Sequence, residues 1–235
     1  MNMKDPDFTS VFAVTADQRH SRRSEDRVPE ALAALEHGLR GQELLPAERT
    51  AGDELQLLLP NPDMVLTVFE QLVRLGDWRI GIGLGGVESP LPRSTRSARG
   101  GAYLAARAAI ERAHSTPTGL ALECQRPGRA GNVGAGPYGD DRRDTQRALH
   151  DAESALWLLE GLLKGRSVEG WQIVELLDEG IGVGQAAQRL GISPSAASQR
   201  HQRAGWEVGV RGRELCVGLL GSLQEGLGSG TGGAA

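Results

Sequence analysis

The chain is poor in cysteine and has no long apolar run, and both absences narrow its class. Its 235 residues include only 2 cysteines, Cys124 and Cys216, too far apart for a C-x-x-C motif. They predict neither a disulfide framework nor a zinc site, so we expect two buried thiols. No segment approaches the length of a transmembrane helix, and the N-terminus lacks the apolar core of a signal peptide. We therefore expect a cytoplasmic protein without a membrane partner.

An excess of charge is also lacking, so the overall charge does not identify a partner. The formal net charge is -4, with 39% hydrophobic and 24% charged residues. This composition is globular and supplies enough apolar residues for a core in each half of the chain. Basic residues are concentrated locally instead, because residues 180–213 contain five arginines and one acid, Glu207. A basic stretch in an acidic protein is the expected footprint of a DNA-binding surface.

Residues 49–59, R-T-A-G-D-E-L-Q-L-L-L, predict a β-hairpin with Asp53 and Glu54 at or just past its tip. Gly52 fits the tight turn because glycine tolerates backbone angles that other residues avoid. Carboxylates in this position suit a hard divalent cation such as Mg²⁺ or Mn²⁺. A solvated turn, in which Asp and Gly are simply common, is the better explanation of an isolated G-D-E.

The order of the other N-terminal elements brings a third acid to this hairpin. An apolar run of β-forming residues at 11–16 ends at Asp17. Helical periodicity follows at 28–39 and from 62 to about 75, then a strand at 78–87, a helix at 101–113 and a strand at 119–124. This β-α-β-β-α-β order, with an extra helix and strand, predicts an α+β, ferredoxin-like domain. In it the first strand lies beside the hairpin, so we expect Asp17 and Asp53 to converge.

Alternate glycines mark the strand at 78–87. Gly81, Gly83 and Gly85 fall on one face of the strand, opposite Ile80, Ile82 and Leu84. Glycine weakens a strand, so three on one face indicate that a helix or a ligand approaches the backbone closely. No helix opens directly after this strand, which argues against a dinucleotide fingerprint. We favour close packing of a helix.

The second half of the chain predicts an all-α domain. We place the first domain at 8–125, a Gly/Arg/Pro-rich linker at 126–143, the helical domain at 144–225 and a disordered tail at 226–235. The pattern A-A-x-x-L-G-I-S-x-S-x-x-S at 186–198 is typical of a helix-turn-helix, with Gly191 in the turn. A helical hairpin that docks a protein is the alternative. The predicted DNA-contacting residues are Ser193, Ser195, Ala196, Gln199, Arg200 and Arg203.

Four motifs, taken together, resemble the SatD family. They are A-D-x-x-x-S-R at 16–22, G-D-E-L-Q at 52–56, R-I-G-I-G at 79–83, and the helix at 101–107 that begins with glycine and ends with arginine. Typical members read D-x-x-x-S-R, G-D-E-F-Q, R-I-G-I-G and a G-x-A-x-x-A-R-like helix. The resemblance covers most of the chain, including a C-terminal helix-turn-helix.

Residues 51–55, A-G-D-E-L, also resemble the G-G-D-E-F signature of diguanylate cyclases, which lies on a ferredoxin-like palm. The chain departs from it at Ala51 and Leu55. The resemblance implies divalent metal bound to a nucleoside triphosphate. The implied metal ligands are Asp17, Asp53 and Glu54, and the nucleotide contacts are Ser21, Arg22, Gly52 and Arg79.

Three functions remain open from the sequence. The helix-turn-helix favours a transcription regulator that binds double-stranded DNA and whose palm-like domain senses a nucleotide or forms a homodimer. The retained acids support a metal-dependent nucleotidyl cyclase or transferase with a DNA-binding appendage. The third possibility is a pseudo-enzyme scaffold for protein partners.

Overall fold

The computed structural model describes residues 10–21, 23–125 and 139–229, and shows an α+β architecture with one five-stranded mixed sheet. The strands are β1 (Val11–Gln18), β2 (Leu45–Arg49), β3 (Glu54–Leu59), β4 (Trp78–Gly85) and β5 (Leu120–Gln125). Their spatial order is β2-β3-β1-β4-β5. Strands β2, β3, β1 and β4 pair antiparallel, and β5 pairs parallel with β4. The predicted hairpin and its place beside β1 are confirmed.

Eight α-helices accompany the sheet in the described residues. They are α1 (Val28–Leu39), α2 (Pro62–Leu75), α3 (Gly101–Ala113), α4 (Gly139–Lys164), α5 (Val168–Asp178), α6 (Val183–Leu190), α7 (Pro194–Ala204) and α8 (Trp206–Ser229). The start of helix α2 illustrates how local sequence begins a helix. Asn61 accepts a hydrogen bond from the Met64 N–H, and Pro62 occupies the first turn. None of the described helices is both long and apolar enough to cross a membrane.

The alternation of side chains along the strands gives the sheet two different faces. Phe12, Val14 and Ile82 belong to the main hydrophobic core, which α1, α2, α4 and α8 share. The opposite face, which carries Ala13 and Leu58, packs against α3. Residues two apart on a strand point to the same face. Asp17 therefore belongs to the α3 face, near the end of β1, and is only partly buried.

Helix α3 lies so close to β4 that only glycine fits beneath it. A Cβ atom on Gly83 would lie 2.0 Å from the backbone nitrogen of Ala106, and one on Gly81 would lie 2.4 Å from that of Ile110. The predicted close approach of a helix is confirmed. The small side chains of Ala102 and Ala106, both fully buried, complete this contact.

Helices α4 and α8 fall within the stretch predicted as a separate domain, yet they pack on the sheet. Leu156 and Leu159 of α4 and Leu220 of α8 are buried in the same core as Phe12. Glu153 of α4 accepts a hydrogen bond from the Leu122 N–H at 2.8 Å and forms an ion pair with Arg112. The sheet needs an apolar cover on this face, and α1 and α2 alone do not supply all of it.

The ends of these two helices also differ from the predicted boundaries. Helix α4 begins at Gly139, inside the predicted linker, and 126–138 lie outside the described residues. Helix α8 continues to Ser229, inside the predicted tail, because Leu223 and Leu227 are buried against the main core. Residues 230–235 lie outside the described part of the chain.

Helices α5, α6 and α7 form a small unit with a core of its own. Ile173, Val174, Ala186, Ala187 and Ala197 are its buried centre. Gly191 ends α6 in the left-handed conformation, with φ of 64°, and its N–H bonds back to the last turn of α6. Ser193 then caps α7 by accepting a hydrogen bond from the Ala196 N–H at 3.1 Å.

The two cysteines form no disulfide, as expected. Cys216 on α8 is buried, and burial raises the pKa of its thiol to about 12. Cys124 on β5 is only partly buried, so the expectation of two buried thiols holds for one of them.

Candidate functional site

Three charged side chains lie in a row across the sheet at one end of β1. The register places Asp17 opposite Glu54 of β3 on one side and opposite Arg79 of β4 on the other. Directly opposed residues of antiparallel strands share a face, with Cβ atoms roughly 4.5–5.5 Å apart. Asp53 lies in the adjoining turn, where its carbonyl accepts a hydrogen bond from the Gln18 N–H at 3.1 Å. The structure thus brings together the residues that the sequence predicted to converge.

Asp17 is the electrostatically unfavourable member of this row. Its partial burial raises the pKa of its carboxyl, and the nearby charge of Asp53 raises it further. Arg79 opposes both effects through an ion pair of 3.3 Å, and His114 opposes them more weakly. The net effect raises the pKa of the Asp17 carboxyl above its usual value, and burial is the largest cause.

The predicted metal ligands are close together, but two of them already have partners. Asp17 bonds Arg79, and Glu54 accepts a hydrogen bond from the Thr50 hydroxyl. Across residues 10–21, 23–125 and 139–229, no group of three or more His, Cys, Asp or Glu side chains is arranged to hold a metal ion. The carboxylate chemistry suits Mg²⁺ or Mn²⁺, but in the described geometry Asp17 and Glu54 would have to release Arg79 and Thr50 to bind it.

Three of the four predicted nucleotide contacts lie in the described residues, each at a different place. Arg79 is in the row of charges, and Ser21 is half-buried just beyond β1. Gly52 is exposed at the hairpin tip with φ of 54°, and a Cβ atom there would meet nothing within 4 Å. Gly52 is therefore required by the turn and leaves open space above it. Arg22 lies outside the described residues.

A cavity of about 690 Å³ lies toward the other end of β4, where sequence reasoning predicted no site. The loop after β4 and the first two turns of α3 form its walls, and Gly101 and Arg107 of the 101–107 motif line it. Tyr103 also lines it and is 8% exposed, and its hydroxyl has no hydrogen-bond partner in the described part of the chain. Burial and the charge of Glu48 raise the pKa of Tyr103.

The predicted DNA-contacting residues lie on α7 and at its N-terminal cap. Ser195, Gln199 and Arg203 are exposed, while Ala196 and Arg200 are half-buried. Ser193 is exposed, but its hydroxyl oxygen is engaged in capping α7. Five of these six residues therefore lie on one short helix that Ser193 caps, and Arg203 is the most accessible cation among them.

Three of the five arginines in the basic stretch predicted at 180–213 have acidic partners or neighbours in the structure. Arg213 points to the sheet unit, where it bonds Glu70 at 2.7 Å, and Arg189 pairs with Glu179 at 3.4 Å. The charge on Arg200 lies near Glu169, whose carboxyl has a pKa lowered first by hydrogen bonds at the start of α5 and then by Arg200. Fewer cations remain for an external anion than the sequence count indicates.

A scan against protein-family models and searches of curated proteins and solved structures found no match to this chain.

Proposed function

We propose that the chain is a DNA-binding protein in which α6 and α7 form a helix-turn-helix with α7 as the recognition helix. The observation that carries the proposal is the exposed polar face of α7, formed by Ser195, Gln199 and Arg203 beside Arg200. The left-handed Gly191 and the Ser193 cap support the turn between the two helices. Short polar and cationic side chains on one helix suit contacts to phosphates and base edges in a major groove.

The sheet unit, in this proposal, is a ferredoxin-like palm that binds a nucleotide with Mg²⁺ or Mn²⁺. Its β-α-β-β-α-β order and the central position of β1 support this interpretation. Asp17, Asp53 and Glu54 would hold the cation, and Ser21, Arg22, Gly52 and Arg79 would contact the nucleotide. A cation there would offset the repulsion between Asp17 and Asp53.

Replacement of Arg200 and Arg203 by alanine tests the DNA proposal. Each lost phosphate contact removes released counterions, so the slope of log affinity against log salt should fall by roughly 2 for the double variant. Fluorescence anisotropy with duplex DNA at several salt concentrations measures this slope. Arg147→Ala is the control, because Arg147 is an exposed arginine in the first half of α4, whereas the α5–α7 unit follows the end of α4.

Equal affinity and equal salt dependence in the folded double variant would remove α7 as the DNA-contacting element. The protein-docking role of α6 and α7 and the pseudo-enzyme scaffold would then be favoured. The homodimer remains a prediction, for which light scattering of the purified chain is the direct test.

The second candidate is a metal-dependent nucleotidyl cyclase or transferase, and the direct opposition of Asp17 and Glu54 favours it. Calorimetric titration of nucleoside triphosphates with and without Mg²⁺ separates the candidates. Binding that requires Mg²⁺ and yields a cyclised or transferred product supports catalysis. Binding without turnover supports a sensor domain.

A further inference from the structure

A cavity lined by cations lies between the sheet and the small unit formed by α5, α6 and α7. Its volume is about 300 Å³, and its walls come from the ends of β1, α2 and α4 and from the start of β4 and α5. Four cations line it and one acid, Asp77, faces them. The cations are Arg19, Arg74, Lys164 and Arg166. This cavity is separate from the acidic row, because Trp78 in its wall belongs to the main core, on the sheet face opposite to Asp17.

Two buried donors at this cavity have no hydrogen-bond acceptor. The indole N–H of Trp78, a residue only 4% exposed, has no partner within the described residues. The Nε of Arg19 is likewise buried without a partner there, although its Nη2 donates to the Thr118 carbonyl at 2.5 Å. Buried donors are normally satisfied, so these two mark a local excess of donors beside the cavity.

The partners of the cations leave the cavity with an excess of donors. Arg74 pairs with Glu175 and Lys164 pairs with Glu160, both at 2.5 Å. Both ion pairs leave further N–H groups, because a guanidinium has five and an ammonium has three. Each paired cation therefore keeps N–H donors that could bind a further anion.

Arg166 has no carboxylate within ion-pair distance among the described residues. Its Nε donates to the Ala204 carbonyl at 2.8 Å, and its guanidinium lies 4.8 Å from the ring centre of Trp171. Burial lowers the pKa of Arg166, and Asp178 and Glu70 only partly offset that effect. A bound anion would stabilise this charge.

We propose that this junction cavity binds a phosphate group, either as the free ion or as part of a small phosphorylated molecule. Guanidinium groups match tetrahedral oxyanions through paired N–H donors, and three guanidinium groups and one ammonium group line this cavity. The volume lies at the lower end of the range of ligand pockets, which suits a small ligand.

Occupancy would connect the sheet to the α5–α7 unit. Arg19 and Arg74 belong to the sheet unit, whereas Arg166 lies in the short connection between α4 and α5. An anion shared by these groups would restrain that connection and hence the orientation of α7. The ligand site stands independently of DNA binding, because it rests on the cavity and its donors alone.

Isothermal titration calorimetry with inorganic phosphate and with adenosine monophosphate tests the site. We expect saturable binding to the wild-type chain and an affinity at least about tenfold weaker in Arg74→Gln, which removes one charge-assisted contact. Arg147→Gln is the matched control, because it also breaks a surface ion pair of a helix, with Asp151, and should bind as the wild type does. Titrations without Mg²⁺ or Mn²⁺ separate this site from the acidic row, which is proposed to bind nucleotide together with a cation.

Lys164→Gln provides a second variant in case Arg74→Gln fails to fold, and thermal melts establish that each variant is folded. Tighter binding of the monophosphate than of the free ion identifies a phosphorylated molecule as the ligand class, and equal binding identifies the phosphate group alone. The proposal is overturned if neither compound gives saturable binding, or if folded Arg74→Gln and Lys164→Gln bind like the control.

Discussion

At the scale of single residues, folding shifts the carboxyl pKa values of Asp17 and Asp26 in opposite directions. The pKa of Asp17 lies above 3.8, chiefly because of burial, whereas hydrogen bonds from Arg49 and the Val28 N–H lower that of Asp26. The folded chain thus keeps the Asp17 proton at pH values where the unfolded chain has lost it. The contribution of Asp17 to stability therefore falls as the pH rises from about 3.8 through its folded pKa.

We expect Asp17→Asn to raise the melting temperature at pH 7 and to flatten its decline with pH in that window. Asp26→Asn is the control of opposite sign, because a group with a lowered pKa stabilises the fold above its unfolded pKa. It should lower the melting temperature at pH 7. Melts at a series of pH values measure both, and a lower melting temperature for Asp17→Asn would show that its ion pair with Arg79 outweighs the burial of the charge.

Asp53 provides the residue-scale test of the metal proposal. A cation that binds only the folded chain raises its melting temperature, so Mg²⁺ or Mn²⁺ should stabilise the wild type, and more so with a nucleoside triphosphate. Asp53→Asn should abolish that gain and raise the metal-free stability by relieving repulsion with Asp17. A wild type indifferent to metal and nucleotide would make the acidic row structural.

At the scale of elements, the contact between α3 and β4 depends on missing side chains. A methyl group on Gly83 would collide with the backbone of Ala106, which no rotamer change relieves. We expect Gly83→Ala to lower the free energy of unfolding by about 3 kcal/mol, the upper part of the usual range for overpacking. Urea unfolding followed by circular dichroism measures this.

Gly161→Ala is the control for that substitution. Gly161 is an exposed position of α4 where an added Cβ meets nothing within 4 Å. Alanine should stabilise the helix there by up to about 1 kcal/mol. Similar effects of the two substitutions would contradict the close packing of α3.

Local sequence patterns predicted the elements well, and the reason lies in their periodicity. The glycines of β4, the Ser193 cap and the hairpin at Gly52 each reflect a short-range requirement that the sequence shows directly. No helix was predicted at 206–229, so the cover of the sheet by α8 was not predicted. Arg213 was counted with the basic stretch because its partner Glu70 lies far away in sequence.

The two candidate sites also differ in whether the sequence could predict them. Topology sufficed to bring Asp17 near Asp53, because adjacent strands fix their separation. The junction cavity is lined by residues near the ends of β1, α2 and α4 and by residues of α5, which are far apart in sequence. No sequence spacing could therefore predict it.

At the scale of the whole molecule, the helices beyond the Gly/Arg/Pro-rich segment are bound to the sheet. The composition of 126–143 predicts first cuts by limited trypsin digestion at Arg126, Arg129 or Arg142. Because Arg142 lies in α4, we now expect Arg126 or Arg129 to be cut first. The two fragments should then co-elute in gel filtration, because α4 and α8 complete the core of the sheet. Separation of the fragments without denaturant would instead support two independent domains.

The hydrogen bond between Arg166 and the Ala204 carbonyl has a consequence for how the chain can be rearranged. It ties the start of the α5–α7 unit to its end, so this unit is an insertion whose two junctions are neighbours in space. A short Gly/Ser bridge in place of 167–204 should therefore yield a folded sheet unit that lacks the proposed recognition helix. Any other small domain with neighbouring termini could be grafted at the same seam, and the sheet would serve as a host for interchangeable modules.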